Sequence, residues 1–176
     1  EEVLDVQVRQ DLHDLPKVVL LLRLLKKRST GKIIIASEFY EVLAVVAKCL
    51  PKERQVFFVH SEIPQSMRDT IFHDFREHAT NPVLLITKST GNTGLNLPCD
   101  VMILLEPATN EIEDVQMTAR ALRLGSTRPV DMYMFVGQGI DRAFATRQYN
   151  NRKRDRTTST SNYFKLKTKK TKSTTV

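Results

Sequence analysis

Gln116, Arg120 and Arg123 are spaced by four and by three residues, and Gly125 follows them. Those spacings place all three side chains near one face of a helix. Two readings fit a glutamine and two permanent cations held together. One is a solvated helix face, the common fate of surface charge. The other is an anion site, with a nucleotide phosphate as the natural ligand, because arginine offers a rigid, always-charged fork of donors. A second stretch could also hold an anion. "STGNTGLN" at 89–96 is rich in Gly, Ser, Thr and Asn and directly follows an apolar run. Glycines let a backbone approach phosphate closely, and exposed N–H groups form a nest. A plain surface turn has the same composition.

Other familiar chemistries are excluded by spacing. "STGKI" at 29–33 imitates a phosphate loop, but GxxxxGK[ST] needs Gly where Lys26 stands and Ser or Thr where Ile33 stands. Cys49 and Cys99 belong to no CxxC or Cys/His cluster and read as reduced core thiols. His60, His73 and His78 show no metal-ligand pattern, so no metal is expected on these residues. Apolar runs such as VVLLL at 18–22 are too short to span a bilayer, and no membrane partner is expected.

The elements that must position these residues alternate. Val18, Leu21, Leu22 and Leu25 recur at helical spacing before Gly31. Short β-branched or apolar runs at 32–37, 55–60, 82–87, 100–106 and 130–136 predict five strands. Helical patterns fall at 38–50, from Pro64 to about His78, from about Glu111, and at 139–151, with 88–98 as a loop. Strands alternating with helices imply an α/β fold built on a parallel sheet, whose ligands bind beyond the strands' carboxyl ends. Charge divides the chain. Residues 151–176 hold nine Lys and Arg against one acid, +8, while residues 1–150 hold 18 against 19, −1. The expected organisation is a linker at 1–11, one domain at 12–151, and a disordered basic tail at 152–176. The first residue is Glu rather than Met, so a segment of a longer protein is expected.

Four blocks in order resemble the C-terminal RecA-like lobe of superfamily 2 helicases, and in particular the Swi/Snf-type ATP-dependent DNA translocases. They are "KIIIASEF", "HSEIPQSMRDTIFHDF", "LLITKSTGNTGLNLPCDVMILLEP" and "NEIEDVQMTARALRLGSTRPVDMYMFV". The resemblance runs from about Leu15 to Asp141 and implies a RecA-like parallel sheet with helices on both faces. It implies that Arg120 and Arg123 reach, as arginine fingers, an ATP·Mg2+ held mainly by an N-terminal RecA-like lobe of the same parent chain. By itself, the chain is then expected not to hydrolyse ATP. Gln116 would orient the arginines, and Gly91, Gly94 and Asn96 would shape the loop that couples nucleotide to DNA. Ser37, Thr87, Lys88 and Ser89 would touch the phosphates of one strand of double-stranded DNA, positioning without reading sequence. A nuclear location follows, with the nucleosome as a candidate partner. Arg68 is expected in a structural salt bridge rather than on DNA.

Departures from the family pattern are His60-Ser61, Gly91-Asn92, Thr109, Ser126 and Gly139. They leave a second reading, a catalytically inactive lobe kept as a nucleic-acid or protein interaction module. A DEAD-box RNA helicase lobe is disfavoured by Gln116 and "TGLN", where that family carries a His and an Arg-Gly-Asp-like stretch. An unrelated Rossmann-like enzyme would need a complete ligand pocket within the lobe.

Overall fold

The computed structural model describes residues 16–28, 30–77, 81–91, 97–107 and 130–137, together with 143 and 146. Gly94, Asn96, Gln116, Arg120, Arg123 and the basic tail lie outside the described residues. So do the helix expected from Glu111 and most of the one expected at 139–151.

Pro16 opens helix α1 (Pro16–Lys27), a first-turn position where its missing N–H costs nothing. Val18, Leu21, Leu24 and Leu25 form the buried stripe of α1, and Lys26 and Lys27 sit in its last turn, where the helix dipole favours cations. Strand β1 (Ile33–Ser37) follows a turn at Gly31, whose φ of +100° suits glycine. A Cβ there would lie 2.8 Å from Asp100 Oδ2. That same oxygen accepts the Lys32 N–H at 2.8 Å, so the glycine keeps the corner tight.

Helix α2 (Tyr40–Cys49) ends at Leu50, held extended before Pro51. Strand β2 (Val56–Val59), helix α3 (Gln65–Glu77) and strand β3 (Val83–Thr87) follow. A four-residue helical turn, α4 (Lys88–Gly91), comes next, then strands β4 (Val101–Leu104) and β5 (Asp131–Met134).

The five strands among the described residues are all parallel, in the order β2-β3-β1-β4-β5. The central strand β1 pairs Ile33 with both Val83 and Val101, and Ala36 with both Ile86 and Leu104. Its Ile33, Ile34, Ile35 and Ala36 are wholly buried, because helices cover both faces of the sheet. Side-chain alternation divides the core in two. Ile33, Ile35, Leu85 and Ile103 pack with Leu21, Leu25, Leu43 and Val46 of α1 and α2. Ile34, Ala36, Leu84, Ile86 and Met102 pack with Phe72 and Phe75 of α3. This is the RecA-like α/β arrangement expected from the sequence, with one correction to detail.

Residues 88–91, read as loop, form α4. The Ser and Thr hydroxyls that signal a turn here bond one another around that first turn: Thr87 Oγ1 to Thr90 Oγ1 at 2.8 Å and Ser89 Oγ to Thr87 Oγ1 at 3.4 Å. Such residues favour helix starts as much as loops. Arg68 has no salt bridge among the described residues, and its buried Nε lacks an acceptor there.

Met102 is buried, while Met132 and Met134 pack against the second core. Cys49 and Cys99 are both free thiols. No helix among the described residues is long and apolar enough to cross a membrane. No group of three His, Cys, Asp or Glu among them could hold a metal ion.

Candidate functional site

The connection from β1 leads to one side of the sheet, towards β2 and β3, while β4 and β5 lie on the other side. The carboxyl ends of β1 and β4 therefore flank a topological switch point, where open α/β sheets bind ligands. Three strands lead into polar residues at this end: β1 closes in Ser37 and is followed by Glu38, β3 closes in Thr87 and is followed by Lys88, and β4 closes in Leu104, with Glu106 two residues beyond.

Glu106 joins these ends. Its Oε1 accepts the backbone N–H of Glu38 at 2.5 Å, and its Oε2 accepts the Ser37 hydroxyl at 3.1 Å. Ser37 Oγ in turn accepts the Phe39 N–H at 3.1 Å. The Glu106 carbonyl accepts a bond of 2.7 Å from Lys88 Nζ. That ammonium lies 3.9 Å from Glu106 Oε1 and 3.9 Å from Glu38 Oε1. Ser37 is fully buried, and Lys88 is 1% and Glu106 7% exposed. A lysine this deep is tolerable only when its charge is paired and its donors are used.

Burial pushes the Glu106 carboxyl above its ordinary range. The Glu38 N–H, the Lys88 charge, the Ser37 hydroxyl and the Lys17 charge act against that shift without cancelling it.

Of the residues given a role from the sequence, the structure brings together Ser37, Thr87, Lys88, Ser89 and the backbone of Gly91. Only Ser89 of the four assigned to DNA phosphates is exposed; Ser37, Thr87 and Lys88 are buried. Glu38 and Glu106 were not singled out from the sequence. The available signal was an acid closing an apolar run, as in "VMILLE" and "IIIASE". A charge at the end of a fully buried strand must be exposed or paired, and here both acids lie at the switch point.

The same end carries an aromatic cluster. Tyr40 stacks on Phe58 with centroids 5.3 Å apart and meets His60 edge-on at 4.9 Å. Phe39, which precedes α2, makes no side-chain cap and is 55% exposed.

Comparison with known proteins agrees with this architecture. Residues 16–125 match the helicase conserved C-terminal domain. The ATP-dependent helicase fft1 of Schizosaccharomyces pombe is 32% identical over 126 residues, covering 70% of this chain and 13% of the relative. The SNF2 domain-containing protein ENL1 of Oryza sativa subsp. japonica is 28% identical over 143 residues, covering 79% of this chain and 14% of the relative. The chain thus spans only a small part of these relatives' length.

Among solved structures, the C-terminal part of the Fun30 ATPase domain gives a TM-score of 0.71 at 22% identity, covering 77% of this chain and 46% of that one. The C-terminal domain of the DEAD-box protein Dbp5 gives 0.67 at 20% identity, covering 77% of each chain. At these identities the structural likeness speaks for the fold, which Swi/Snf and DEAD-box lobes share. The matched domain spans more than half of the sequence and its fold is the one seen. The chain therefore belongs to the helicase conserved C-terminal domain family: it is a C-terminal RecA-like lobe of a superfamily 2 helicase, with Swi/Snf-type helicases among its relatives.

Proposed function

We propose that the chain is the C-terminal half of a Swi/Snf-type, DNA-dependent ATPase that translocates along duplex DNA. Residues 12–151 would form the motor lobe, joined through 1–11 to preceding sequence and followed by a basic tail at 152–176. ATP with Mg2+ would be held mainly by an N-terminal RecA-like lobe of the same parent chain. Arg120 and Arg123 would reach its phosphates, with Gln116 orienting them. Gly91, Gly94 and Asn96 would couple that event to a track beside the carboxyl ends of β1 and β3, where Ser37, Thr87, Lys88 and Ser89 cluster. Substrate and setting would be the backbone of double-stranded DNA in the nucleus, with the nucleosome as a further candidate partner.

The single observation that carries this reading is the family match over residues 16–125, which includes all three of Gln116, Arg120 and Arg123. Chemically, an arginine finger offsets charge that develops on the transferring phosphoryl group, so it acts on turnover more than on ground-state binding. Arg123→Ala or Arg120→Ala in the full two-lobed parent should lower DNA-stimulated ATP turnover by about 10³-fold, the low end of the range for such residues. ATP affinity should fall far less. Lysine should not rescue either position, because it is a point charge without the planar fork. Parental rates in both alanine variants would leave the helix face merely solvated. A parent without DNA-stimulated ATPase would favour the inactive interaction module.

A further inference from the structure

We propose that Glu106 is the positioning residue of the DNA track, and that Ser37 and Lys88 are held by Glu106 rather than by DNA. This rests on the reading above that the carboxyl ends of β1 and β3 border the track.

The geometry is specific. One carboxylate ties the first two residues after the core of β1, taking the Ser37 hydroxyl at 3.1 Å and the Glu38 N–H at 2.5 Å. The carbonyl of the same residue takes Lys88 Nζ at 2.7 Å, from the start of α4. Glu106 thereby fixes the chain leaving β1 against the chain leaving β3, although it belongs to β4's own exit. Ser37 has its proton donated to Glu106 and its oxygen occupied by the Phe39 N–H. Lys88 is 1% exposed, with carboxylate oxygens of Glu38 and Glu106 each 3.9 Å away.

A cation so placed is largely neutralised before any phosphate arrives, and withdrawing it to the surface would leave two acids facing each other. Phosphate contact is left to groups on the solvent side of this knot. Ser89 is one of them: it is exposed, and Thr87 and Thr90 bond each other beside it. The hub sets where α4 starts, and α4 sets where Ser89 is presented.

Two measurements test this on the full two-lobed parent. The first is amine acetylation with acetic anhydride, read by mass spectrometry, and it does not depend on ATPase activity. Lys88 should label at least tenfold more slowly than the exposed Lys48 and Lys52, with or without duplex DNA. Glu106→Ala should bring Lys88 towards their rate, whereas Glu106→Gln should not, since glutamine can still accept the Glu38 N–H and meet the Ser37 hydroxyl. Labelling of Lys88 at the rate of Lys48 in the unmutated parent overturns the proposal.

The second measurement is DNA-stimulated ATP turnover as a function of DNA concentration. Glu106→Ala should raise the half-saturating DNA concentration about tenfold while lowering the maximal rate less than threefold, and Glu106→Gln should stay within about threefold of the parent on both. A lysine acting on phosphate gives the opposite signature: Lys88→Met would lower the slope of log K against log salt by about 0.9. That result overturns the proposal, and an unchanged slope supports it. A parent with no DNA stimulation overturns the track itself; slow labelling of Lys88 would then show the hub intact and assign the failure to the functional reading.

Discussion

The two ends of this sheet both hold acids and bases, on opposite terms. At the amino end, Arg28 pairs with Asp131 and donates to the Tyr133 hydroxyl at 3.1 Å. The pair is 41% and 42% exposed. The Tyr133 hydrogen bond, ahead of the Asp131 charge, holds the Arg28 guanidinium above its ordinary value. Arg54 lies deeper; burial lowers its guanidinium, and it donates to the Arg28 carbonyl at 2.5 Å.

At the carboxyl end, Lys88, Glu38 and Glu106 are largely withdrawn from water. The amino end behaves as a surface clamp, where water competes for every charge. The carboxyl end behaves as a buried network, where an unpaired member is costly. Similar ion pairs thus carry different weight, and burial decides which.

The largest expected effect breaks the buried end. Glu106→Ala leaves Lys88 with a poorer set of acceptors and strips the Glu38 N–H and Ser37 hydroxyl of theirs. Removing one partner of a buried pair costs about 3–5 kcal/mol. Urea unfolding of the lobe should show a loss in that range, and a loss below about 1 kcal/mol would mean that water reaches the hub.

A second experiment sharpens the same end through pH. The folded state holds the Glu106 carboxyl above its ordinary range, chiefly through burial. The stability contributed by its protonated form is complete below the ordinary carboxylate pKa and is lost as pH rises through the raised value. Glu106→Gln should therefore gain on the parent as pH rises from about 4.5, the ordinary value for such a carboxyl. A stability difference between the two proteins that stays constant with pH would contradict this assignment.

The smallest effect belongs to the exposed end. Arg28→Ala should cost less than about 1 kcal/mol, as for exposed pairs in general, and that cost should shrink in high salt. A loss as large as that of Glu106→Ala would erase the contrast.

The central strands were legible from local sequence because they are short runs that are apolar on both faces, such as Ile33–Ser37 and Val83–Thr87. Their edges were less so. The strand read at 100–106 is paired only over Val101–Leu104, since pairing depends on the neighbours β1 and β5 rather than on the run itself. The turn at Lys88–Gly91 was hidden because Ser, Thr and Gly signal loops and helix starts alike. The hub was hidden for a different reason. A lysine beside a strand end reads as surface, since lysine is seldom buried, and the acids that hold Lys88 come from other strands. Only the strand order brings them together. Ser89 and the track assignment drew on resemblance rather than on local pattern.

The position of β1 also governs how the chain reaches this structure. Among the described residues, Ile33 to Ser37 pairs with Val83–Thr87 and Val101–Leu104, and β2, the next strand made, pairs with β3 and not with β1. β2 and β3 are the first neighbours in sequence that can pair, and β1 must wait for β3, so its contacts close over a long stretch of chain, which slows folding. During synthesis the run IIIA at 33–36 stays without a sheet until some fifty further residues have left the ribosome. Throughout that interval both edges of the strand are open to pairing with other chains. The strand that sits at the centre of the finished sheet is thus the one most exposed to aggregation while the protein is being made.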